Sequence, residues 1–195
     1  MDAPSFQLTN RVSSIDALRA KYAEPNGLVR IDLGCGFYKP RGFIGFDNLS
    51  ATATQIENTD NLPDVLMDLN KDALPLPDGS CSEVRSSHFL EHSILDHVFH
   101  QAHRVLADGG IFMFTVPYAN SAEGMYPGHS IFLTEKWFEE NLTFQRLFRI
   151  VERRFKPSAA YQGLPWLVRK LFPFEIARTV LFNACNEMTI VSVKR

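Results

Sequence analysis

Apolar positions along the chain follow two alternating rhythms. Short apolar runs close on a small or acidic residue, and longer stretches repeat at helical spacing. Leu28 to Leu33 closes on Gly34-Cys35-Gly36, Phe43 to Phe46 on Asp47, and Asp64 to Met67 on Asp68. Ser82 to Ser86 runs into Ser87-His88, and Ile111 to Val116 is stopped by Pro117. Each reads as a strand; Phe148 to Phe155 and Glu187 to Val193 add a sixth and a seventh. Helices fall between them. Ile15, Leu18, Ala20 and Tyr22 give one an apolar side, with Ser13 or Ser14 as its cap and Pro25-Asn26-Gly27 as its end. Phe89 to Leu106 repeats at helical spacing, and Gly109-Gly110 reads as its stop. A further helix starts at Thr134, with Glu135 near its positive end. Strands interleaved with helices predict an α/β fold. The expected sheet is seven-stranded and mostly parallel, with helices on both faces and a helical insertion between the last two strands.

Composition narrows the class. The 195 residues are 45% hydrophobic and 22% charged, proportions of one ordered globular domain. Residues 1–27 read as a helical lead-in and 156–185 as the insertion within a single domain spanning 1–195. A net charge of −2 and a pI near 6.3 argue against a general polyanion binder, so no nucleic-acid partner is expected. Cys35, Cys81 and Cys185 match no metal spacing and read as reduced thiols of a cytoplasmic protein. Met1 to Phe6 shows no secretory signal, and no apolar run reaches the ~18 residues of a membrane span.

In parallel α/β sheets ligands sit at the carboxyl ends of the strands. Here those ends carry Asp32 with Gly34-Cys35-Gly36, then Asp47-Asn48, Asp68-Leu69, Ser87-His88 and Pro117-Tyr118. Paired glycines let a backbone approach a ligand without a Cβ clash. A dinucleotide site needs G-x-G-x-x-G opening a helix and an acid about 20 residues on. This chain has Lys39 at the third glycine position, Pro40 against a helix, and Asp47 only 11 residues past Gly36. The spacing disfavours a dinucleotide.

Ile31-Asp32-Leu33-Gly34-Cys35-Gly36, Asp47, Asp68-Leu69, Val84 to His92, and Leu106-Ala107-Asp108-Gly109-Gly110 with Phe112 to Pro117 together resemble the class I S-adenosylmethionine-dependent methyltransferases. The resemblance covers residues 28–155 in the family's order and implies a Rossmann-like fold. It is similar to small methyltransferase type 11-like members with a shortened first helix, because Phe37 to Gly42 is a six-residue loop where most members have a helix. It implies S-adenosyl-L-methionine as cofactor and S-adenosyl-L-homocysteine as product. It also implies that Asp47 and Asn48 meet the ribose, Asp68 and Leu69 the adenine, and Asp32, Gly34, Cys35 and Gly36 the methionine part. Ser87 and His88 would stand nearest the methyl group. Phe37, Tyr38 and Lys39 are further candidates at the methionine end.

Methyl transfer is an in-line displacement, so the protein positions a nucleophile, excludes water and sometimes takes a proton. His129, His88 and Tyr118 are the candidates for that work. The plainer reading of each histidine is a loop fixed by hydrogen bonds. No Asn/Asp-Pro-Pro-Tyr run follows the fourth strand, which disfavours amide and base nitrogens as acceptors. A small-molecule or saccharide- or lipid-linked acceptor is expected. The alternative is a protein that keeps the fold without activity, as a binding module or scaffold. His88, His92, His97, His100 and His103 cluster in sequence, but their helical phase does not bring them to one point, and no metal site is expected. Residues 164–185 are rich in Trp, Leu and Phe, broken by Pro165 and Pro173 into two short amphipathic helices. Three readings stay open for them: a lid over the pocket, a peripheral contact with a membrane surface, or packing, including a homodimer face.

Overall fold

The computed structural model describes residues 6–9, 13–48 and 62–195. One sheet organises them. Its strands are β1 (Phe6–Leu8), β2 (Val29–Leu33), β3 (Ile44–Asp47), β4 (Val65–Met67), β5 (Cys81–Ser87), β6 (Leu106–Pro117), β7 (Phe148–Pro157) and β8 (Cys185–Lys194). Their spatial order is β1-β4-β3-β2-β5-β6-β8-β7. The five strands from β4 to β6 are parallel, and β1, β7 and β8 pair antiparallel. The expected seven strands are present, and β1 is an eighth. Its three residues are too short for a periodic signal.

The chain leaves β2 toward β3 on one side of the sheet and returns to β5 on the other. The carboxyl end of β2 is therefore the switch point, where open α/β sheets form their crevice.

Helix α1 (Ile15–Tyr22) is capped by the Ser14 hydroxyl, which accepts from the Ala17 amide. The expected helix from Phe89 divides. A 3-10 turn covers Leu90–His92, and α2 (Leu95–Val105) starts after Ser93, whose hydroxyl donates back to the Leu90 carbonyl. Gly109-Gly110 does not stop α2. Leu106 turns extended and ends the helix, and the glycines lie inside β6 where its pairing with β5 shifts register. Gly109 has φ +72°, so the pair serves a bulge rather than a cap.

Helices α3 (Glu135–Glu140) and α4 (Leu142–Leu147) lead into β7, and Thr134 caps α3 at Trp137. Here most of the large buried rings gather. Phe99, Phe112, Phe114, Phe138, Phe144 and Phe148 are fully buried, with neighbouring centroids 4.9–6.3 Å apart. Such tilted and edge-on contacts suit the ring quadrupole.

The insertion opens with α5 (Ala159–Gln162), and the two helices expected within 164–185 follow as α6 (Trp166–Leu171) and α7 (Phe174–Val180). Pro165 and Pro173 stand immediately before α6 and α7, where a missing N–H costs nothing. Tyr161, Ala177 and Ala184 make a small core of their own. Trp166, Leu167, Leu171, Ile176 and Val180 stay exposed, so internal packing accounts for only part of the insertion's apolar character.

No helix forms between Leu33 and Ile44, as the sequence predicts. The short loop is anchored inward instead. Lys39 Nζ lies 2.7 Å from Asp64 Oδ2, and both side chains are 4% exposed. The same Asp64 oxygen accepts from the Gly45 amide at 3.0 Å, and Lys39 Nζ also donates to the Tyr22 hydroxyl. Removing one partner of such a pair strands a buried charge. Lys39→Ala is expected to cost about 3–5 kcal/mol of stability, read by urea denaturation against the parent protein.

Candidate functional site

Two clefts open at the carboxyl ends of β2 to β5 and share Gly34. One, of about 250 Å³, is lined by Asp47, Asn48, Met67, Asp68, Leu69, Asn70, Phe89 and His92. The other, of about 410 Å³, is lined by Asp32, Cys35, Gly36, Tyr38, Arg85, Ser87 and His88. All ten residues that the sequence singles out for a cofactor lie on one cleft or the other.

The glycine turn between them is held by backbone geometry. Gly34 and Gly36 have φ of +67° and +52°, a region costly for other residues. A Cβ on Gly34 would stand 2.4 Å from Phe89 Cβ, so only glycine fits. The Gly34 and Cys35 amides both donate to the Phe46 carbonyl. Asp47 Oδ2 accepts from the Gly36 amide at 2.8 Å, and its Oδ1 accepts from the Asn48 amide at 2.7 Å. One carboxylate thus ties the turn after β2 to the end of β3.

Asp32 is 2% exposed. Its Oδ2 lies 3.2 Å from Arg85 Nη1, and its Oδ1 has no hydrogen-bond partner among the described residues. Burial pushes its pKa up to about 7, against the pull of the Arg85 charge. Cys35 is buried beside it, and burial with the Asp32 charge pushes the thiol far above its ordinary range, so it is no nucleophile. Lys39, a candidate at the methionine end, turns away into its pair with Asp64.

Asp68 sits at a turn: Oδ1 accepts from the Asn70 amide at 3.0 Å and Oδ2 meets Lys71 Nζ at 2.9 Å. Those contacts, Lys71 foremost, hold its pKa below the usual value. It therefore combines turn chemistry with a place on the cleft wall.

The three candidates for acceptor chemistry do not converge. His88, at φ +55°, lines the second cleft. Carboxylate oxygens of Glu91, Glu123 and Glu187 lie 3.7–3.9 Å from its ring nitrogens. His129 lines neither cleft, and its Nδ1 donates to the Gly124 carbonyl at 3.2 Å. Tyr118 faces elsewhere. Its hydroxyl donates to Glu135 Oε2 at 3.0 Å and is reached by Arg178, which also pairs with Glu135 and lies 3.8 Å from the Phe155 ring centroid. Burial and Glu135 push the Tyr118 pKa up to about 12. Tyr118, Met125, Phe132, Glu135, Arg178 and Thr179 line a separate groove of about 1080 Å³, with α7 as one wall. Arg85, Phe89 and Asn70 are neighbours that sequence reasoning missed. Arg85 lies in a strand, where only the pairing of β5 with β2 sets it opposite Asp32.

Comparison with known proteins bears on the fold. A family model described as a methyltransferase domain, Methyltransf_11, matches residues 31–114. No curated protein matches the sequence. Among solved structures, a SAM-dependent methyltransferase from Archaeoglobus fulgidus aligns at 16% identity and TM-score 0.61, over 93% of this chain and 95% of that one. A chain from the complex of the Haloferax volcanii Trm112 methyltransferase activator with a methyltransferase aligns at 19% identity and TM-score 0.54, over 85% and 81%. The [4+2]-cyclase SpnF aligns at 18% identity and TM-score 0.55, over 94% and 84%. The fold is that of the class I S-adenosylmethionine-dependent methyltransferases. The family match itself spans residues 31–114, less than half of the chain.

The Asp32 shift carries a sign. A buried acid with a raised pKa binds its proton more tightly in the folded state, so stability falls as pH rises from about 4 to 7. Asp32→Asn lacks that loss. Its melting temperature relative to the parent is expected to rise across that window and level off above it. A gain of at least about 3 °C between pH 4.5 and 7.5, by scanning calorimetry, is the expected size.

Proposed function

We propose that the protein is an S-adenosylmethionine-dependent methyltransferase acting on a small-molecule or saccharide- or lipid-linked acceptor. The observation that carries this reading is the meeting of the two clefts at Gly34. Hydrogen-bond acceptors lie on one side and a buried, half-partnered carboxylate on the other. The residues fit such a cofactor: no Cβ obstructs the turn at Gly34, and the orphaned Asp32 Oδ1 wants a cationic donor. Asp47 would hold the ribose hydroxyls, Asp68 the adenine amine, and Asp32 with the turn from Gly34 to Gly36 the amino-acid end. The bound cofactor supplies a methyl group already activated on a sulfonium.

Among the three acceptor-side candidates, His88 is the one on the cleft wall, and we assign it the proton or the positioning of the nucleophile. His129 packs edge to face on His92 off the cleft wall, and Tyr118 belongs to the groove under α7. That groove, walled by the insertion, suits an acceptor with an apolar portion. The exposed Trp166, Leu167 and Leu171 beside Arg169 and Lys170 support a peripheral membrane contact by a cytoplasmic enzyme, or a homodimer face. A shared fold does not fix a reaction, because a cyclase has it too, so cofactor binding is the first quantity to measure.

Isothermal calorimetry with S-adenosylhomocysteine is expected to show one site per chain. Asp47→Ala should weaken it at least about tenfold, equal to about 1.4 kcal/mol, while the protein stays folded by circular dichroism. Since a ligand ammonium would ionise Asp32, binding at pH 6.5 should release protons, seen by repeating the titration in buffers of different ionisation enthalpy. No binding by the parent protein would leave only an inactive scaffold.

A further inference from the structure

Glu91 is 2% exposed, and neither of its carboxylate oxygens has a hydrogen-bond partner among the described residues. A buried carboxylate left so is costly unless a cation meets it or a proton neutralises it. One oxygen of Glu91, one nitrogen of His92 and one nitrogen of His129 lie within 4.8 Å of one another. The two rings stand edge to face, 4.8 Å between centroids.

The surroundings hold these three groups in place. His92 Nδ1 lies 2.9 Å from the Gly128 carbonyl, and His129 Nδ1 lies 3.2 Å from the Gly124 carbonyl. A carbonyl only accepts, so in each ring Nδ1 carries the proton and Nε2 keeps its lone pair. That is the arrangement by which metal-binding histidines are oriented: one nitrogen donates to a backbone oxygen while the other ligates. The loop bearing His129 is fastened to the turn bearing Glu91, because the Ser130 amide and hydroxyl both donate to the Glu91 carbonyl, at 3.0 and 2.9 Å.

We propose that Glu91, His92 and His129 form a binding site for a borderline divalent transition metal of the zinc or cobalt type, at the rim of the cofactor cleft. Two imidazoles and one carboxylate are the donor set such ions prefer over magnesium or calcium, and three protein ligands leave positions open for water or substrate. Donors around zinc lie about 2.0–2.2 Å from the ion, so the three groups would draw inward by about an ångström on binding. His92 lines the cleft that Asp47 and Asp68 line, which sets the ion beside the proposed cofactor. Glu91 also stands 3.7 Å from His88 Nδ1 on the other cleft, so, resting on the methyltransferase reading, an oxygen-bearing acceptor would meet the ion on that side, where the ion would bind and acidify its hydroxyl. The helical phase of the clustered histidines gave no hint of this, because His129 comes from a loop 37 residues beyond His92.

The test is cobalt binding by chelator-treated full-length protein, followed by visible absorption and by melting temperature. The parent is expected to take up one ion per chain with new visible bands and a raised melting temperature. Losing even an outer partner of a metal ligand typically costs about 10–100-fold in affinity, so Glu91→Gln and His129→Gln should each weaken cobalt at least about tenfold. S-adenosylhomocysteine affinity of both variants, measured in parallel, reports whether the cleft is intact. No bands in the parent would overturn the site, and so would equal cobalt affinity in both variants, which would belong to His97, His100 or His103. If cobalt binds as expected while S-adenosylhomocysteine does not bind the parent, the metal site stands and the cofactor reading falls.

Discussion

The buried pair of Lys39 and Asp64 is the constraint on which the cleft region depends. A loop of this length between two parallel strands has no helix to hold it, so something else must fix its path. Burial works against the Lys39 charge, but the Asp64 hydrogen bond and charge outweigh it and hold its pKa above the ordinary lysine value. Asp64 accepts at once from Lys39 in the loop, from the Gly45 amide in β3 and, at 3.4 Å, from the Tyr22 hydroxyl at the end of α1. Three segments therefore converge on one carboxylate. A Cβ at Gly45 would meet Lys39 Cδ at 2.6 Å, so the lysine stem can cross β3 only over a glycine. With the loop pressed down in this way, β3 is held close enough for Asp47 to reach the Gly36 amide.

That arrangement also explains the kind of ligand the turn suits. A pyrophosphate needs a helix N-terminus and its row of free amides. Here the amides after β2 are committed: Gly34 and Cys35 to the Phe46 carbonyl, Gly36 to Asp47. What faces the clefts instead is carboxylate. The same shortening that removes the helix removes the anion site, so loop length and ligand charge are one property.

The parts of the molecule that were legible in the sequence are those whose signals are local. Strand ends marked by Gly34, Asp47 and Asp68, and caps such as Ser14 and Thr134, depend on a few neighbouring residues. So do the helix starts after Pro165 and Pro173. The parts that were not legible depend on contacts between distant segments. Lys39 reads as a candidate at the methionine end, and only the fold shows that it turns inward to Asp64. Gly109-Gly110 reads as a helix stop because glycine serves caps and bulges alike, and only the pairing of β6 with β5 decides between them. Glu91 lies between His88 and His92 in the sequence, and only the fold shows that it is buried, with Ser130 of the loop after β6 donating to its carbonyl. The groove under α7 could not be read either, since it arises where the insertion meets Tyr118 and Glu135.

Charge gives these pieces a common sense. Asp32, Asp47 and Asp68 line the two clefts, and Glu91, Glu123 and Glu187 stand around His88, while Arg85 is the one cationic side chain among the described cleft-lining residues other than histidine. In a partly desolvated cleft such an excess of carboxylate favours cations and repels phosphates. A sulfonium with an ammonium group meets that field well. After the proposed methyl transfer the sulfur would be a neutral thioether, so part of that attraction would disappear and the product would be held less tightly than the cofactor. A divalent ion at Glu91 would reduce the same negative excess at its other end. The field that would draw in the proposed cofactor and the buried carboxylate that the proposed metal would meet are then two consequences of one acidic crevice at the switch point of the sheet.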